Sequence, residues 1–207
     1  MDNQTYLNQI SAKPLKAAAG SQNKFLNHTM IKLIAGLLIA ITLLIVVIST
    51  LGQSGARTKS LTETFYARMS LLSENKGPIV TYSKDLFSSD LRALTSNLRT
   101  NLVNLSRDLE HLLPDLGIDA KNISAKVTND EAITIADLTA TLETARLNSL
   151  LDRTFSSQMT LELAKLRAIQ SELYERASNQ AFRDLLQRAG TSLETLEIEF
   201  TNFTNSH

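Results

Sequence analysis

The chain has 207 residues in which 21 Lys and Arg balance 21 Asp and Glu, and it contains no cysteine, which excludes disulfides, thiolate metal sites, iron–sulfur clusters and a cysteine nucleophile. The charge is unevenly placed: residues 1–52 hold Lys13, Lys16, Lys24 and Lys32 against Asp2 alone, leaving 17 basic and 20 acidic residues interleaved over 53–207. Such a surface has no continuous electropositive track for phosphates, so nucleic-acid binding is not expected.

Residues 1–30 are rich in Asn, Gln, Ser, Ala and Lys with few large apolar groups. They cannot bury a core, and the composition predicts a disordered tail. From 33 to 48 no charged residue occurs, and Thr42 is the only hydroxyl. Counted over 31–51, a helix rising about 1.5 Å per residue spans roughly 31 Å, enough to cross the hydrocarbon core of a bilayer. A single transmembrane helix is therefore expected at 31–51, with the lipid bilayer as its partner. A cleaved signal peptide is the rival reading, since Ser54 and Ala56 would suit a cut after Ala56. The long polar lead and the length of the apolar run favour an uncleaved anchor. Four lysines precede or enter the run, while Arg57, Lys59 and Arg68 follow it. That bias favours a cytoplasmic N-terminus and an extracytoplasmic C-terminal domain at the cell membrane. Gly36 and Ala40 make a small-xxx-small pair, a spacing common in membrane helices whether or not they associate.

After a short linker at 52–57, glycine and proline become scarce: only Gly77, Gly117, Gly190, Pro78 and Pro114 remain. Folds rich in β-structure need frequent turn residues, so long helices are predicted over 58–207. The series Leu91, Leu94, Leu98, Leu102, Leu105, Leu109, Leu112 keeps one apolar stripe on one helix face. The series Phe182, Leu185, Ala189, Leu193, Leu196, Phe200, Phe203 repeats its steps 91 residues later, and Arg92 matches Arg183. Upstream, Leu61, Thr64, Phe65, Met69 and Leu71 recur as Leu151, Thr154, Phe155, Met159 and Leu161, displaced by 90. The paired matches read as a diverged internal duplication of a helical hairpin, with turns at Gly77-Pro78 and Ser178-Asn179.

Two hairpins with apolar inner faces bury them best against each other, so an antiparallel four-helix bundle is expected. Its helices are predicted at 58–75, 80–113, 151–177 and 180–204, as hairpin one (58–113) and hairpin two (151–204). Pro114 and Gly117 should end the second helix. Residues 115–150 form the long crossover. Within it Thr128, Asn129 or Asp130 could cap a helix starting near Glu131, with Ile135, Leu138, Leu142 and Ala145 on one face. Whether that helix is separate or runs into the third is open at this point. A long parallel coiled-coil stalk is the alternative, but Gly77-Pro78 and the Pro114–Gly117 stretch would break it.

Two hairpins joined by a long crossover resemble the ferritin-like superfamily in shape. Its di-iron members carry Glu-x-x-His on two helices plus two further glutamates. No Glu-x-x-His occurs here, and the positions expected to face the core carry Leu, Phe and Met. The resemblance therefore implies a shape without metal ligands, and no cofactor is expected. Of the three histidines, His28 lies in the tail and His207 is last; His111 could pair with Asp108 on a metal but has no second histidine. No GxSxG elbow or phosphate-binding glycine loop is present. Glu194, Glu197 and Glu199 read as a solvated helix face rather than acid–base machinery. Phe65, Phe155, Met69 and Met159 read as core rather than the lining of a ligand pocket. Asn104-Leu-Ser106, Asn122-Ile-Ser124 and Asn202-Phe-Thr204 fit the glycosylation pattern at a frequency chance supplies.

No catalytic, cofactor-binding or metal residue is thus singled out. The expectation is a membrane-anchored, non-enzymatic interaction or structural module of the cell envelope, acting through a protein partner or self-association. A ligand-binding sensor bundle that signals through a partner is the first alternative, and a ferritin-like metal oxidoreductase the second.

Overall fold

The computed structural model describes residues 55–123 and 125–206, and every regular element among them is helical. The tail 1–30, the apolar run 31–51 and residues 52–54 lie outside the described residues. Gly55, expected in the break after that run, is already helical. Among the described residues, no helix is long and apolar enough to cross a membrane. In chain order the helices are α1 (55–73), α2 (Pro78–Ser83), α3 (Ser89–Leu112), α4 (Ala125–Leu147), α5 (Leu151–Arg176) and α6 (Gln180–Ser206).

Polar contacts between helices fix their directions. Arg57 meets Glu172 and Arg68 meets Glu162, so α1 and α5 are antiparallel. Arg68 also meets Glu131, and the Tyr82 hydroxyl donates to the Thr139 carbonyl, so α4 runs parallel to the α1–α2 arm. The Ser156 hydroxyl donates to the Phe200 carbonyl and the Gln170 amide to that of Leu186, which makes α5 and α6 antiparallel. The chain of this domain therefore travels up, down, up, down and up. The apolar stripes of the five long helices share one core, in which Phe65, Met69, Leu102, Leu142, Phe155, Phe182 and Phe200 are fully buried. Each such side chain contributes about 1.5–3 kcal/mol of transfer free energy, and this burial holds the helices together.

The crossover is where the expected four-helix arrangement is corrected. Residues 125–147 form a helix as long as its neighbours, and Ile135, Leu138, Leu142 and Ala145 are buried in the common core. The connector still runs lengthwise between the hairpins, but it adds a fifth long helix. Thr128, Asn129 and Asp130, expected to cap it, lie inside it and face solvent, where cap-type side chains cost a helix little. It is separate from α5. The Leu150 amide donates to the Ala145 carbonyl across Ser149, whose φ is 60°, a left-handed helix stop that glycine usually occupies.

The helix expected at 80–113 is also interrupted. α2 ends at Ser83, residues 84–88 reverse the chain, and α3 begins after Ser88, whose hydroxyl accepts from the Leu91 amide at 3.3 Å. The Asp152 carboxylate accepts from the Phe87 and Ser88 amides at 2.9 and 2.7 Å, meeting backbone donors that α3 cannot. Gly77-Pro78 is thus not the hairpin turn but a break within the first arm. Pro78 starts α2 and holds Gly77 extended, at φ −68° and ψ 160°. A Cβ on Gly77 would strike the carbonyl oxygens of Leu71 and Leu72, so the close approach requires glycine. At its other end, α3 gives way to a 3-10 turn at Pro114–Leu116, closed by Gly117 at φ 68°.

Candidate functional site

Three helices bring charged residues inward at apolar phase. Arg68 stands between Phe65 and Met69 on α1, Glu131 four residues before Ile135 on α4, and Glu162 between Met159 and Leu166 on α5. The Arg68 guanidinium grips Glu131 through two hydrogen bonds, Nε to Oε2 at 2.6 Å and Nη2 to Oε1 at 3.1 Å. Its Nη1 stands 3.8 Å from Glu162 Oε2, and Lys165 Nζ donates to Glu162 Oε1 at 2.7 Å. Two cations and two carboxylates close the cluster at zero net charge. Glu162 Oε2 has no hydrogen-bond partner of its own among the described residues, so Arg68 is held chiefly by Glu131, and the cluster links α1, α4 and α5.

Next to this cluster lies a cavity of about 600 Å³ between α1 and the first turns of α4. Ala56 and Val127 supply apolar wall, Glu63, Asp130 and Glu131 supply carboxylates, and Lys59 stands among them. Glu63 is only 6% exposed, yet no hydrogen-bond or ion-pair partner for it occurs among the described residues. Sequence reading does not single it out. The acid sits between the buried Thr62 and the core residue Phe65, one turn before Ala67 and Arg68. A second groove, lined by Leu71, Tyr82, Ile135, Ala136 and Glu143, lies further along α4. There Arg146 donates two hydrogen bonds to Glu143, at 2.9 and 2.7 Å. Those bonds, before the weaker effect of Tyr82, hold the Glu143 carboxyl below the ordinary carboxylate range. Burial, then the Glu143 charge, pushes the Tyr82 phenol up, so it remains a neutral donor to Thr139.

The residues weighed in the sequence fall elsewhere. Phe65, Phe155, Met69 and Met159 are core, and the Phe155 ring lies 6.5 Å from that of Phe200. Glu194 and Glu197 both pair with Arg167, at 3.2 and 2.8 Å, while Glu199 is exposed. His111 and Asp108 are exposed and share a shallow groove with Asp184 and Arg188. Among the described residues no group of three His, Asp or Glu side chains converges as a metal site would require. Asn104, Asn122 and Asn202 are exposed, the last two near chain turns or ends.

No protein-family model, no curated protein and no solved structure matches this chain.

Proposed function

We propose that the chain is a membrane-anchored, non-enzymatic interaction or structural module of the cell envelope. In this reading residues 31–51 cross the bilayer once, and the helical domain stands outside the cytoplasm. The uncharged run at 33–48 carries the proposal, because a stretch of that length without a polar stripe is what lipid selects. The domain adds support from its chemistry. Its buried ionic cluster ties three helices together.

The domain is further read as two related hairpins, α1 to α3 and α5 to α6, around α4. Phe65 and Phe155, and Met69 and Met159, occupy matching core positions. The helix caps Ser88 and Asn179 stand 91 residues apart, the displacement of the two leucine-rich series, and each accepts from an amide three residues on.

Protease added to intact cells, followed by mass measurement of the mature chain, tests the anchor and its orientation together. The expected result is digestion of the C-terminal domain with a membrane-held N-terminal fragment, and a mature mass that includes residues 1–51. A mature chain beginning near Arg57 would replace the anchor with a cleaved signal.

A further inference from the structure

We propose that the solvent face of α4 pairs with the same face of a second copy of this chain, antiparallel, about a two-fold axis between Ala140 and Glu143. α4 carries two apolar stripes. Ile135, Leu138, Leu142 and Ala145 are buried in the domain core. On the opposite side Ile133, Ala136, Ala140, Glu143 and Leu147 follow one another in steps of 3-4-3-4, the spacing of a seam between two helices. Ile133 is 63% exposed and Leu147 is 70% exposed. Two more large apolar side chains are exposed beside the end of α4: Leu150 in the turn that follows it, and Phe87, whose amide bonds Asp152. One exposed hydrophobic needs no partner, but four grouped about one helix mark a contact surface.

The residues on this face select both the occupant and its direction. With Ala140 set against the second copy's Glu143, Ala136 falls against its Leu147, so each layer sets a small side chain against a larger one. Beside Ala136 and Ala140 lies the groove of about 580 Å³ bounded by Leu71 and Tyr82, a hole for which the second copy's Leu147 is the knob. The flanks agree. Asp137 faces the second copy's Thr144, and Thr139 faces its Arg146, so no like charges meet. A parallel pair would set Glu143 against Glu143 and leave alanine facing alanine across a gap. The antiparallel face is thus self-complementary, as a two-fold contact requires. A seam about 21 Å long on a helix about 10 Å wide is smaller than the roughly 800 Å² per partner of a standard interface, so the pair is weak and exchanging.

The pairing deepens the reading as an interaction module but needs no bilayer, so carbonate extraction judges the anchor and cross-linking judges the seam. The chain has no cysteine, and full-length single-cysteine variants in detergent therefore report contacts between copies. Ala136→Cys chains mixed with Leu147→Cys chains should give a disulfide-linked dimer under mild oxidation. Neither variant alone should do so, because positions 136 and 147 lie about 16 Å apart along a helix. Ile133→Cys alone, and Leu161→Cys on the exposed side of α5, should not link. Sedimentation of the cysteine-free chain should show a reversible dimer. Ala140→Glu, which opposes the second copy's Glu143, should weaken it at least tenfold, and Ala140→Lys should not. An unchanged helical circular dichroism spectrum shows that the fold persists in each variant. No linked dimer in the mixture, equal linking of Leu161→Cys, linking of Ile133→Cys by itself, or equal association of the two Ala140 variants would each overturn the proposal. So would capture of a different protein by Leu147→Cys in intact membranes in place of a second copy.

Discussion

The arm formed by α1 and α2 and the arm formed by α5 carry similar sequence patterns yet are built differently. α5 runs through 167–169 without a break, with Arg167 paired to Glu194 and Glu197 across to α6. At the corresponding place the first arm has Gly77-Pro78, stops, and restarts as α2. The restarted piece carries Tyr82 against α4, and the preceding turns carry Arg68 against Glu131. The first arm is thus shaped by the connector helix it holds, while the second keeps the regular form its periodicity predicts. Similar stripes place two helices in the same kind of core; one proline and one buried arginine decide what else each can do.

The most sensitive test of that difference exchanges the inward polar residues. Arg68→Met should destabilise the domain by about 3–5 kcal/mol, because Glu131 is left as an uncompensated buried charge while Glu162 keeps only Lys165. Gln158→Met, at the position displaced by 90 on α5 and only half-buried, should change stability by no more than about 0.5 kcal/mol. Denaturant unfolding of the full-length chain compares the two. Equal costs would mean that the cluster does not distinguish the arms.

A second exchange imposes the break of one arm on the other. Ala168→Pro should cost about 3 kcal/mol or more, since α5 would lose a helical hydrogen bond and gain a clash with the preceding turn. Hydrogen exchange would locate the damage around 164–172. A smaller effect is expected at the caps: Ser88→Ala and Asn179→Ala should each cost about 0.5–2 kcal/mol. Similar values would support their equivalence, and a null effect at Ser88 would mean that Asp152 alone starts α3.

Much of this was legible in the sequence. The leucine and phenylalanine ladders, the paired Phe and Met positions and the stop at Pro114 to Gly117 are local patterns, and local patterns survive folding. The reversal at 84–88 was hidden for the opposite reason. Ser88, Ser89 and Asp90 are good cap residues, but the carboxylate that holds the turn comes from Asp152, 64 residues away in sequence. Gly77-Pro78 offered a stronger turn signal and drew the hairpin to the wrong place. The connector helix was half visible: its stripe at Ile135, Leu138, Leu142 and Ala145 was readable, whereas its membership of the core depends on Arg68, a tertiary partner. Glu131 and Glu162 stand in phase with apolar stripes, and a charge in such a place is the sequence signal for a buried pair. Glu63 is harder to find, because its burial comes from the neighbouring α4 rather than from its own helix.

The smallest effect concerns the edge of the connector. Glu143 is held below its ordinary value first by its bonds to Arg146. A carboxyl depressed in this way stabilises the fold above its unfolded value and loses that contribution as pH falls through the folded one. Stability should therefore decline on acidification slightly less in Glu143→Gln than in the parent chain, read as unfolding midpoints across the acidic range. Because the pair is exposed, only the direction is expected to be measurable.

In the domain Arg68, Glu131 and Glu162 are buried as a group, whereas the run at 33–48 contains no charged residue. On the proposed reading the run crosses the bilayer and the domain is held at the membrane surface. Extraction of cell membranes with alkaline carbonate tests this most directly, because it strips peripheral proteins and leaves spanning helices in the pellet. The account predicts the full-length chain, residues 1–207, in the pellet. Its release into the supernatant would contradict the anchor and the assignment to the envelope.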